Sequence, residues 1–271
     1  VLSSLRKRFA RRSIEIPQAL WDEQLRALPW LHHWDASELK VLRNLSARLL
    51  REKSMTGAAG LVLTEPMQLH IAAQACVPIV RLGMHWYRGW SGIVIYPASF
   101  RVRRHVQAPD GIVQEFDAEL TGEAWDGGPV VLSWEDAAPG GARSAGNVVI
   151  HEFAHKIDLL DGEADGIPPL DARLHLGLDR RHWRDVLEDA YERFCAELDL
   201  VDTEIPPDVD PESSAGDAYY AHLPLDPYGA TDPGEFFAVS SEAFFLNPEP
   251  LALAFPQWHE LLRRFYRPAP A

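Results

Sequence analysis

The sequence predicts an α+β protein, mainly helical, with a small and mainly antiparallel sheet next to a helix carrying a His-Glu-x-x-His motif. Three observations predict this. Apolar residues recur at helical spacing through residues 16–54 and again beyond residue 170. Short β-rich runs bounded by turn residues lie between residues 92 and 134. Immediately afterwards, Val148-Val149-Ile150 leads into His151-Glu152-Phe153-Ala154-His155.

Each element has a local reason. Arg6-Lys7-Arg8 and Arg11-Arg12 mark residues 1–16 as a basic arm. It reads as solvated and poorly ordered, with docking on an acidic or lipid surface as the alternative. Residues 17–271 read as one domain, with a helical part over 17–90 and a core over 91–271. Pro17 opens the helical region, in which Leu20, Leu25 and Leu28 recur at spacings near those of a helix. Asp35 is placed to cap a second helix, Ser37 to Arg51, with a stripe of Leu39, Leu42, Leu45 and Leu49 or Leu50. Thr64-Glu65-Pro66 starts a third, and Pro78 should end or kink it. Strands are expected at Gly92–Pro97, Ile112–Leu120 and Pro129–Trp134. A long amphipathic helix should run from Asp179 to Leu200, and the Pro/Asp/Ser-rich Ile205–Gly216 reads as a surface loop.

Composition narrows the function. Hydrophobic residues make up 46% of the 271 and charged residues 24%, as in ordinary globular chains. A formal net charge of −14 argues against nucleic acid as the partner. No apolar run approaches the roughly 18 residues needed to cross a bilayer. Cys76 and Cys195 read as buried free thiols, and with no signal peptide visible the expected location is cytoplasmic.

The motif carries the chemistry. An α-helix advances about 100° per residue, so His151 and His155 share a face and can reach one cation. Glu152 stands beside them as a base, the arrangement of a zinc-dependent peptidase. A surface helix with two incidental histidines is the competing interpretation. A catalytic zinc needs a third protein donor. The metzincin pattern is excluded because positions 158 and 161 are both Asp. Glu235, in Asp232-Pro233-Gly234-Glu235-Phe236-Phe237, could be that donor or a capping carboxylate turned back on its own helix. Glu242, two turns on, could support a ligand imidazole, or face solvent or a salt-bridge partner. Asp158 could orient an imidazole or cap backbone groups. Val131, Ser133 and Trp134 lie on a strand whose edge could bind a substrate backbone, with Trp134 as pocket wall or core filler.

Two segments resemble a known family. His151-Glu152-x-x-His155-Lys156-Ile157-Asp158 and Asp226-Pro227-Tyr228-Gly229-Ala230-Thr231-Asp232-Pro233-Gly234-Glu235-Phe236-Phe237-Ala238-Val239 look like the Mlc titration factor A family. These are bacterial zinc peptidases with a catalytic core similar to that of anthrax lethal factor. Leu28-Pro29, Val94–Pro97, Gly128–Trp134 and Asn147–Ile150 extend the likeness over roughly residues 17 to 268. The resemblance implies a zincin-like fold of gluzincin type and one Zn²⁺ held by His151, His155 and Glu235. It also implies Glu152 as base and Tyr228 at the rim as a donor to the oxyanion. The implied activity is aminopeptidase-like hydrolysis of a peptide or protein substrate. Binding of an Mlc-type transcription repressor, relieving repression of sugar-transport genes, is implied as well. A repressor-sequestering protein with a secondary metal site is the alternative.

Overall fold

The computed structural model describes residues 15–107, 113–120, 122–140, 146–211 and 213–268, without the side chains of 100–107, 113–120 and Ser214. The basic residues from Arg6 to Arg12 lie outside the described residues. Two compact units are present. One runs up to Val77 and resumes over Arg88–Glu152; the other comprises Pro78–Tyr87 and the chain from Phe153.

In the first unit, Pro17 precedes helix α1 (Gln18–Ala27), which buries Trp21 and Gln24, followed by buried Leu28. Of the three leucines whose spacing suggested this helix, Leu28 is buried and Leu20 and Leu25 are half-buried. Gln24 tolerates burial because its Oε1 lies 2.9 Å from His70 Nδ1. Helix α2 (Ala36–Glu52) starts at Asp35, whose carboxylate accepts the Ser37 and Glu38 N–H groups, and buries Leu42, Leu45 and Leu49. Strand β1 (Ser54–Gly57) follows. Helix α3 (Glu65–Cys76) is capped by Thr64, carries Pro66 in its first turn and stops two residues before Pro78. Its C-terminal half is buried on every side. Strands β2 (Gly92–Tyr96), β3 (Phe100–Gln107), β4 (Val113–Leu120), β5 (Gly122–Ala124) and β6 (Val130–Ser133) come next. A short helix α4 (Trp134–Ala137) and helix α5 (Val148–Asp158) complete the sequence of elements, the unit ending within α5.

The main sheet has the order β1-β2-β6-β5, and its orientation corrects the sequence expectation. Two of its three pairings, β1 with β2 and β2 with β6, are parallel; only β5 with β6 is antiparallel. The connections explain this. β1 reaches β2 through α3, and β2 reaches β6 through the antiparallel β3–β4 pair, so both returns are long enough for parallel strands. A short turn suffices only between β5 and β6. Strand β6 is thus interior, and all four of its residues are buried.

The second unit is helical. Beyond α5 lie α6 (Arg180–Glu204), α7 (Ser214–Tyr220), α8 (Pro233–Leu246), α9 (Pro248–Ala254) and α10 (Pro256–Tyr266). Asp179 caps α6 through the Arg181 N–H, as its place in the sequence suggests. Helix α7, begun by Ser213 as cap, takes up the end of the stretch expected to be loop. Helices α8, α9 and α10 each open on a proline, which fits a first turn whose N–H would lack a partner anyway. Their apolar faces build an aromatic core. Trp183 and Trp258 meet edge to face at 5.2 Å between centroids, and Phe236 stacks on Trp258 at 5.9 Å. Each such ring removes about 150–250 Å² from water, on the order of 4–6 kcal/mol of gross hydrophobic gain. That packing holds α8 firmly, and α8 carries Glu235. Among the described residues, no helix is long and apolar enough to cross a membrane.

Candidate metal centre

Helix α5 is fixed at its start by Asn147. The Asn147 Oδ1 accepts the Ile150 N–H at 2.9 Å, and its Nδ2 donates to Gln74 Oε1 at 2.6 Å. Gln74 is itself held by donating to the Ala137 carbonyl at 3.4 Å. Along the helix Val149, Ile150, Phe153, Ala154 and Ile157 are fully buried, which sets the rotation of the remaining face. On that face His151, Glu152 and His155 are also buried, at 8%, 4% and 9% exposure.

Glu235 stands in the first turn of α8, where Asp232 Oδ1 accepts its backbone N–H at 2.9 Å. Its carboxylate reaches groups outside its own helix. Oε2 lies 3.1 Å from His155 Nε2, and Oε1 accepts a long 3.4 Å hydrogen bond from the Tyr228 hydroxyl. Tyr228 sits on the turn Pro227–Ala230, which Asp226 caps, and is 40% exposed. His151, His155 and Glu235 each offer one ligand atom, all within 4.8 Å of one another. Two imidazoles and a carboxylate are a zinc-type donor set. Donors at 2.0–2.1 Å from a tetrahedral ion stand about 3.3 Å apart, close to the 3.1 Å between His155 and Glu235. The residues present therefore fit a metal ion.

Glu152 is positioned by a feature that the sequence reading missed. A Cβ at Gly122 would fall 2.7 Å from the Glu152 Cδ and Cγ, so the strand backbone lies directly against the carboxylate. An isolated glycine in a strand often marks such an approach, and that was the available signal.

The expectation that Val131, Ser133 and Trp134 bind substrate by strand addition is corrected. β6 pairs with β2 on one side and β5 on the other, so its backbone is already engaged. Val131 and Ser133 are buried, Ser133 caps α4, and the half-buried Trp134 meets His70 in a T-shaped contact with ring centroids 6.1 Å apart. The edge of the main sheet next to β6 is β5. Asp158 is fully buried, and its Oδ2 accepts the Gly166 N–H at 2.7 Å. Burial pushes its carboxyl up to about 8, against the opposing pull of that N–H. Glu242 is buried on α8 rather than facing solvent. Cys76 is buried and its thiol pushed up by burial, whereas Cys195 is only half-buried; both are free.

The sequence profile described as glucose-regulated metallo-peptidase M90 matches residues 2–267. The chain belongs to this family. Three relatives are each named Mlc titration factor A. The protein from Serratia proteamaculans is 36% identical over 253 residues, covering 93% of this chain and 88% of the relative. That from Klebsiella pneumoniae strain 342 is 36% identical over 251 residues, covering 92% and 86%. That from Yersinia pestis strain Pestoides F is 33% identical over 253 residues, covering 93% and 85%. Membership of the M90 family makes the chain a metallopeptidase, and the three donors form a group in it that could hold the metal.

Proposed function

We propose that this metallopeptidase is a zinc enzyme of zincin-like, gluzincin type that hydrolyses short peptides from their amino end. The observation that carries this reading is the convergence of His151, His155 and Glu235 beside the buried carboxylate of Glu152. A zinc ion held by these side chains supplies Lewis acidity and an acidified water.

The remaining steps fall to the chain's own groups. Glu152 takes the proton of the attacking water and passes it to the leaving amine. Tyr228 donates its hydroxyl to the developing oxyanion, a contribution of about 2–4 kcal/mol in comparable sites. Its 3.4 Å bond to Glu235 is long for O–H···O, so little is lost when the hydroxyl turns toward substrate. Peptide backbone pairs along β5, the edge strand, where Gly122 brings the substrate close to Glu152. Glu242 supports the donor set from within α8. A reducing cytoplasm suits the two free cysteines.

Amino-acid p-nitroanilides should be cleaved, and the same compounds blocked at the α-amine should not; equal cleavage of both would remove the aminopeptidase assignment. Tyr228→Phe should lower kcat by about tenfold or more with little change in KM, since the hydroxyl acts in the transition state. An unchanged kcat would remove Tyr228 from the catalytic machinery.

The shared name of the relatives favours a second reading. In it the chain binds an Mlc-type repressor and the metal site is secondary. Capture of such a repressor by a Glu152→Gln protein, with no measurable peptidase activity in the parent, would favour this alternative.

A further inference from the structure

The segment after the motif helix makes contacts that the metal-site reading does not use. Leu159–Asp161 closes as a 3₁₀ turn, and the chain then runs through Gly162 to Gly166. At Gly166 three other elements converge. Its N–H donates to Asp158 Oδ2 at 2.7 Å, at the end of α5. Its carbonyl accepts the Trp183 indole N–H of α6 at 2.8 Å. A Cβ on it would meet the Pro233 carbonyl oxygen at 2.5 Å, at the start of α8. Its φ of +76° also disfavours any L side chain.

Gly234 makes the reciprocal contact. A Cβ there would run into the Ala164 carbonyl, whose carbon would be only 3.1 Å away. The backbone at 164–166 and the first turn of α8 are thus pressed together, and neither Gly166 nor Gly234 has room for a side chain. Glu235 is the next residue. Asp158 is three residues beyond His155. The backbone contact therefore lies one residue before Glu235 and is tied, through Asp158, to the helix that carries His155.

We propose that Ala164–Gly166 is a strap that sets the third donor, Glu235, against the histidine helix, with Asp158, Gly166 and Gly234 as its positioning residues. The inference rests on reading His151, His155 and Glu235 as the metal site. Burying the Asp158 carboxylate is costly, and its Oδ1 has no hydrogen-bond partner among the described residues. Asp158 is therefore a poor device for stability alone, and its strong bond to Gly166 is better explained by position. Donor sites demand such precision, because an error near 1 Å suffices to loosen them.

Zinc affinity of the full chain, measured by chelator competition, tests the strap without relying on activity. Gly234→Ala should raise the zinc Kd at least tenfold while the metal-free protein keeps its far-ultraviolet circular dichroism. Should that variant fail to fold, the Asp158 pair decides. Asp158→Ala should weaken zinc at least tenfold, and Asp158→Asn, neutral and still an acceptor for the Gly166 N–H, should restore most of it. Folded Gly234→Ala or Asp158→Ala protein that binds zinc as tightly as the parent overturns the strap. A parent chain that takes up no zinc overturns instead the metal-site reading beneath it.

Discussion

Replacing Glu152 with Gln should leave zinc bound at one ion per chain and lower peptide hydrolysis by at least about a hundredfold, as expected for loss of a general base. The substitution is close to isosteric. It keeps the side chain's shape where the Gly122 backbone presses on it, so the site should not rearrange. What it removes is the ability to accept the proton of the attacking water. Metal content by mass spectrometry and kcat/KM on the same preparation separate the two effects. Hydrolysis at the parent rate in a metallated variant would take the base assignment away from Glu152.

Glu235→Ala should weaken zinc binding by more than the 10–100-fold that typically follows loss of an outer partner, because it deletes one of the three donors found among the described residues. Two further consequences follow from the geometry. His155 Nε2 loses the carboxylate 3.1 Å away, and the Tyr228 hydroxyl loses its acceptor. The helix itself should survive, since Asp232 caps the backbone N–H at position 235 rather than the side chain. Circular dichroism of the variant should therefore match the parent while its zinc Kd rises. A fully metallated variant would point to a different third donor.

The candidate site was legible in the sequence where its logic is local. The i,i+4 spacing of His151 and His155 needs only one helix, and Asp232-Pro233 announces the turn that holds Glu235. Whether Glu235 capped its own helix or reached outward was not local, and only its 3.1 Å approach to His155 decides it. Strand direction was illegible for a similar reason. Apolar runs mark β2 and β6 but carry no sign of orientation, which the long connections determine. At three residues, Gly-Glu-Ala, β5 is too short to show a period, yet it forms the sheet edge beside Glu152. On α1 the burial of Gln24 was not legible, because this polar side chain is satisfied by a residue 46 positions away. Gly122, Gly166 and Gly234 were the hardest to see. Their importance lies in missing side chains, and each close approach joins segments distant along the chain.

The most direct test of the metal centre is a titration of zinc into chelator-stripped protein, followed by hydrolysis of an amino-acid p-nitroanilide. Activity should be negligible without metal, rise linearly, and saturate at one equivalent per chain, with no recovery in the Glu235→Ala protein below the same concentration. Full activity in the stripped protein, or one equivalent of tightly bound zinc with no hydrolysis, would contradict a catalytic site built from His151, His155 and Glu235.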